Sequence, residues 1–227
     1  MAPPSLVDNQ QSLPNWSTPF RILSLTLALG FWCFYIGRYP FSPSSSWRYL
    51  TNWGLSLNLL VALWAVLGLF SSRLRRHNPL LPTALTASTL VVLLYWGLYA
   101  INPAMVTIKA PLPWYSNLYM HLGTTVLVYL EAFLLNDAPR QRFKTLAPIA
   151  LVGIAYVLWV DLVVATHNTT PCGLTTSVCG YPYPFLNDFT PSGRWGFYTI
   201  TGALVLRMSL CILSLWRRAK ATQQASQ

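Results

Sequence analysis

Acidic residues are scarce in this chain. Only 5 of its 227 residues are Asp or Glu, and charged residues of both signs make up 9%, where a soluble domain carries about 25%. A water-soluble globule of this size could not cover itself with so few charges. Disorder is excluded from the other direction, because 54% of the residues are hydrophobic and disordered chains are poor in them. What is abundant is aromatic and aliphatic side chain, including 10 Trp, 12 Tyr and 10 Phe. That balance indicates a polytopic membrane protein. The formal charge of +10 raises nucleic-acid binding as a function, but such binders gather Lys and Arg on one solvated face. Here the cations form small clusters between long uncharged runs, the pattern of cytoplasmic loops. No nucleic-acid partner is expected.

Six apolar runs stand out: Phe20 to Ile36, Leu50 to Phe70, Leu80 to Ile101, Tyr115 to Leu135, Leu146 to Ala165 and Gly196 to Trp216. Each holds 17 to 22 residues, and a helix needs about 20 to cross the hydrocarbon core. The first run follows a polar, Pro-containing stretch, and Gly37, Arg38 and Tyr39 come after it rather than a small-residue cleavage site, so it reads as a retained helix. The expected architecture is all-α, one domain of six transmembrane helices over residues 20–216. A flexible tail precedes it at 1–19 and a short tail follows at 217–227. No internal repeat is evident.

Loop charge gives the orientation. Arg21, Arg73, Arg75, Arg76, Arg140, Arg142, Lys144, Arg217, Arg218 and Lys220 fall on one side, against Arg38, Arg48, Lys109 and Arg194 on the other. The basic side, with both termini, is expected in the cytoplasm. Cys33 and Cys211 lie within spans and read as small hydrophobes. Cys172 and Cys179 lie in the fifth loop, on the side where disulfides persist, and are expected to form a bridge. Metal binding is the weaker alternative for them, with only His167 nearby. Asn168-Thr169-Thr170 is a glycosylation sequon three residues beyond a span, where access for the glycosylating enzyme is doubtful.

Within the spans the ionisable residues are His121, Glu131, Asp161 and Arg207, each costly in hydrocarbon and a functional candidate on that ground. Thr51 opens the second span at its non-cytoplasmic end. His121 lies six residues into the fourth, about 9 Å below the same boundary at helical rise. Asp161 is four residues from the corresponding end of the fifth. A hydroxyl, an imidazole and a carboxylate at one depth are the parts of a nucleophile–base–orienter relay. Asn117, His121, Thr124 and Glu131 follow one side of the fourth span, and Thr51 and Asn58 one side of the second. Plainer roles stand beside these: Thr51 bonded to its own backbone, His121 as a structural hydrogen-bonder, Asp161 paired with Arg194. Glu131 and Arg207, toward the cytoplasmic half, are expected to form a structural ion pair between the fourth and sixth helices.

Four blocks carry a resemblance. Ser45-Ser46-Trp47-Arg48-Tyr49-Leu50-Thr51 resembles the small-small-Trp-basic-aromatic-Leu-Thr signature of the androgen-induced-gene family, which takes in the androgen-dependent regulators of tissue factor pathway inhibitor. Asn117-Leu118-Tyr119-Met120-His121 is similar to that family's Asn-x-x-Met-His, with an acidic residue, Glu131, ten positions on. Tyr156-Val157-Leu158-Trp159-Val160 and Tyr183-Pro184-Phe185-Leu186 match two later blocks in order. The fifth loop, Asn168 to Gly180, is longer than the family pattern, and Asp161 is no part of it.

The resemblance implies a multi-spanning threonine hydrolase that cleaves fatty acid esters of hydroxy fatty acids, with Thr51 as nucleophile and His121 as base. No metal or organic cofactor is implied, and the partners are a lipid substrate and membrane lipids. Asn58 or Asn117 is expected to donate to the oxyanion, and Lys109, Arg48 or Arg194 to meet the substrate carboxylate. The endoplasmic reticulum, another endomembrane or the plasma membrane is the expected location. The alternative is a lipid-binding or transport protein without chemistry, favoured by the polar stripe descending through Glu131 to Arg207.

Overall fold

The computed structural model describes residues 13–37, 42, 45–71, 74–103, 106, 113–169 and 179–225. Six helices among them are long and apolar enough to cross a membrane: α1 Ser17–Gly37, α2 Leu50–Leu67, α3 Leu81–Ile101, α4 Trp114–Leu135, α5 Lys144–His167 and α7 Pro191–Ala225. A short helix, α6 Pro184–Asp188, lies between the last two. There is no strand among the described residues. Each expected run thus becomes a helix. The last is longer than its apolar run: its 35 residues carry it about 52 Å and take in most of the stretch expected as a C-terminal tail.

These helices form because the runs are predominantly apolar, and only intrahelical bonding satisfies the backbone in hydrocarbon. Their outer faces stay apolar, with Leu93, Leu151, Leu162, Ile200 and Leu204 each more than half exposed. Exposed aliphatic surface of this extent suits acyl chains and not water.

α3 is the middle of the bundle, packed against α2, α4, α5 and α7. Its inner residues Leu81, Ala84 and Leu85 are fully buried and join Val61, Val128, Ala132, Leu213 and Trp216 in one cluster. Short polar side chains tie it sideways. Thr86 and Ser209 hydroxyls meet at 3.1 Å, Ser88 donates to Asn58 Oδ1 at 3.1 Å, and Thr89 meets the Tyr129 hydroxyl at 2.9 Å. Such bonds suit helices whose packing gains little from the hydrophobic effect. α1 lies along α2.

The N-terminal start of α1 and the C-terminal part of α7 lie at the same end of the bundle. Arg21 reaches the backbone oxygen of Arg75 at 2.9 Å, and Arg217 those of Pro139 at 2.6 Å and Arg140 at 3.1 Å. This is the basic end. Arg21, expected as a loop cation, is 1% exposed and paired with Glu131 at 2.7 Å. The Glu131 carboxylate also accepts from Asn136 at 2.6 Å.

The expected Glu131–Arg207 pair is therefore replaced by Glu131–Arg21. Helical rotation is the reason. α7 turns Ser209, Ile212, Leu213 and Trp216 inward, and Arg207 lies two residues from Ser209, about 200° round the axis. It is exposed on the outer face, so no polar stripe links Glu131 to it.

Candidate active site

Three elements converge on the start of α2. The 3-10 turn Ser46–Arg48 delivers the chain to Tyr49, in extended conformation, and α2 begins at the next residue. No side chain of the preceding residue caps the helix. Instead the Leu50 N–H donates to the Tyr183 hydroxyl at 3.1 Å, and the Tyr156 hydroxyl donates to the Arg48 carbonyl at 3.2 Å. The two phenol oxygens lie 3.4 Å apart. Arg48 Nη1 donates to Asn168 Oδ1 at 2.8 Å, and the indole N–H of Trp53 bonds the Trp47 carbonyl at 3.0 Å. Thr51, second residue of the helix, is held in place by this clamp.

His121 comes from α4, within a wide π turn at Tyr119–Gly123. Turns of this kind depart from the regular i to i−4 ladder and recur at functional sites. The imidazole is 6% exposed. Its Nε2 lies 3.5 Å from Thr51 Oγ1, and its Nδ1 lies 3.0 Å from the carbonyl oxygen of Asn117 and 2.8 Å from that residue's Oδ1. A backbone carbonyl can only accept, so Nδ1 carries the proton and Nε2 presents its lone pair to the Thr51 hydroxyl. Trp96 donates its indole N–H to the His121 carbonyl at 3.2 Å. The Tyr95 ring lies flat against the imidazole, centroids 3.5 Å apart and planes 9° from parallel.

The structure brings Thr51, His121 and Asn117 together and separates the other candidates. Asp161, expected as the orienter, accepts from the Tyr181 hydroxyl at 2.7 Å and faces Arg194 Nε at 4.0 Å. Burial, then the bond to Asp161, pushes the Tyr181 phenol up to about 12. The carboxylate is committed to that cluster, and Asn117 fills the place at His121 Nδ1 instead. Asn117, expected as an oxyanion donor, has its oxygen on the imidazole. Asn58, the other, is bonded to Ser88 two helical turns below Thr51, about 10 Å away.

Of the cations expected at the mouth, Arg48 holds Asn168, Arg194 donates to the Phe189 carbonyl at 2.6 Å, and Lys109 lies outside the described residues. Cys172 is also outside them; Cys179 is an unbridged, half-buried thiol. Among the described residues no three of His, Cys, Asp and Glu converge as a metal site would.

Tyr95 had no signal in the sequence, since an aromatic side chain in an apolar run reads as core. Asn117 did have one, its place four residues before His121 on the same helix face, but an acid at matching depth fitted the relay pattern better.

The FAR-17a/AIG1-like protein family matches residues 17–216, which takes in all six spans and both residues of the central pair. The chain belongs to this family. Family membership agrees with the resemblance carried by the Trp47-to-Thr51 and Asn117-to-His121 blocks, and is compatible with a hydrolase. No curated protein and no solved structure matches the chain.

The clamp also decides what the sequon can do. Asn168 is fully buried, its Oδ1 taken by Arg48 and its Nδ2 donating to the Gly180 carbonyl at 2.9 Å. A glycan on Nδ2 would displace both. The protein made in a glycosylating cell should keep its electrophoretic mobility after endoglycosidase treatment. A downward shift that Asn168→Gln abolishes would contradict this packing.

Proposed function

We propose that the protein is a membrane-embedded ester hydrolase, cleaving fatty acid esters of hydroxy fatty acids by way of an acyl-threonine. The observation that carries this reading is the Thr51 Oγ1 to His121 Nε2 contact, with the opposite ring nitrogen anchored on Asn117. A hydroxyl facing an imidazole of fixed tautomer is the working part of a nucleophilic hydrolase. At 3.5 Å the contact is longer than an ideal hydrogen bond, as is common before substrate closes the site.

The Thr51 oxygen attacks the ester carbonyl carbon while its proton passes to His121 Nε2. Collapse of the tetrahedral intermediate breaks the bond to the alkoxy oxygen, which leaves as the hydroxy fatty acid with the proton from His121. A water then attacks the acyl-threonine carbonyl, giving up its proton to the same nitrogen; collapse breaks the bond to Thr51 Oγ1, which takes that proton back, and releases the second fatty acid. The oxyanion forms beside the first turn of α2, where peptide N–H groups lack intrahelical acceptors. The Leu50 N–H is bonded to Tyr183 and the Asn52 N–H to the Tyr49 carbonyl at 3.1 Å, and the Thr51 N–H between them serves as the oxyanion donor in this reading.

The substrate class rests on the family resemblance and on a site set among hydrocarbon-facing helices. A small cavity between α1, α2 and α4, lined by Ala28, Asn58, Val61, Thr124 and Leu127 and closed by the Arg21–Glu131 pair, lies below the site. With the basic end in the cytosol, the site faces the lumen or the exterior.

The deciding experiment treats purified protein with an alkyl fluorophosphonate. The wild type should be labelled on Thr51 and lose turnover, while Thr51→Ala should escape labelling. Equal labelling of both proteins would remove Thr51 as the nucleophile.

A further inference from the structure

General-base action turns His121 into an imidazolium, and a buried cation needs a counter-charge or its equivalent. Triad hydrolases supply a carboxylate. Here the carboxylates are engaged elsewhere among the described residues: Glu131 with Arg21, Asp161 with Tyr181 and Arg194, and Asp137 facing Arg76 at 3.9 Å, while Asp188 is exposed on α6. At Nδ1 the imidazole meets only the neutral oxygens of Asn117. What covers its face is the Tyr95 ring, at 3.5 Å and within 9° of parallel.

We infer that the π face of Tyr95 stabilises the His121 imidazolium formed during acyl transfer, taking the place of the acid in the relay. The negative face of an aromatic ring attracts a cation lying over it, more strongly where water is excluded. Tyr95 is 9% exposed and His121 6%, so the pair is dry. The attraction is small while the ring is neutral and grows as the proton arrives, so it acts on the transition state in preference to the bound substrate. The adjacent Trp96 indole, bonded to the His121 carbonyl at 3.2 Å, keeps the rings in register.

This role rests on the hydrolase reading, and its test is separable from that of Thr51. Phenylalanine and its mono-, di- and trifluorinated forms would be placed at position 95, a series that keeps ring size while draining charge from the face. Tyr95→Phe should keep kcat within about threefold of wild type, having lost only the hydroxyl. Across the fluorinated forms kcat should then fall stepwise, to about a tenth at trifluorophenylalanine, with KM unchanged and melting temperature steady. Packing alone gives no such slope, because fluorine does not weaken stacking on a neutral ring.

A flat series with turnover intact would overturn the role of Tyr95 and leave Thr51 and His121 untouched. Tyr95→Leu with wild-type kcat would overturn it as well. A wild type that hydrolyses no ester would remove the reaction and this role together.

Discussion

His121→Ala, assayed on a fatty acid ester of a hydroxy fatty acid, should lower kcat by about 10³-fold or more while KM stays within a few-fold. The imidazole is the acceptor placed for the Thr51 proton, at 3.5 Å, and a threonine hydroxyl without a base is a poor nucleophile at neutral pH. Thr51→Ala should be equally severe, and the double variant no worse than either single one, since the two side chains act as a unit in one step. Multiplying losses would mean that they serve separate functions. Asn117 tests the finer geometry. Asn117→Leu removes the Oδ1 contact and leaves the backbone carbonyl on Nδ1, so its loss should be well below that of His121→Ala.

Glu131→Leu should produce the largest loss of stability in the molecule. It leaves the Arg21 guanidinium, 1% exposed, without its counter-ion, and breaking a buried pair from one side costs about 3 to 5 kcal/mol. Asn136, which donates to the same carboxylate at 2.6 Å, would keep only the Glu131 backbone carbonyl at 3.1 Å. Replacing both partners, Arg21→Met with Glu131→Leu, should recover most of the loss, because nothing charged then stays buried. Thermal unfolding of the single and double variants in one detergent measures this. A single variant that melts with the wild type would mean that water reaches Arg21.

The spans were legible because hydrocarbon imposes a length and a composition that a one-dimensional scan can read. Their rotations were not. In a soluble helix the polar face marks the outside, but here the outer Leu204 and the inner Leu213 are the same residue type, so α7 gave no hint that Arg207 points outward. Depth along an axis is a count of residues, which is why Thr51 and His121 could be placed at one level. Azimuth needs the neighbours, which is why Glu131 was matched with a cation on the wrong helix. Arg21 reads as a cation of the cytoplasmic boundary because it is the second residue of its apolar run, whereas its helix begins a turn earlier, at Ser17. Asp161 reads as the orienter because an acid is the expected partner of a catalytic imidazole. The plainer pairing of Asp161 with Arg194 is the one the structure holds, at 4.0 Å, and no sequence spacing reveals that Tyr181 joins it.

The second half of α4 is bracketed by two wide turns, one carrying His121 and the next opening at Glu131. Each residue of an α-helix advances the azimuth by about 100°, so losing or gaining a single residue between these turns would swing the carboxylate away from Arg21 or the imidazole away from Thr51. The segment is in effect a gauge bar with a fixed tooth count. The interval from 121 to 131 admits no gap.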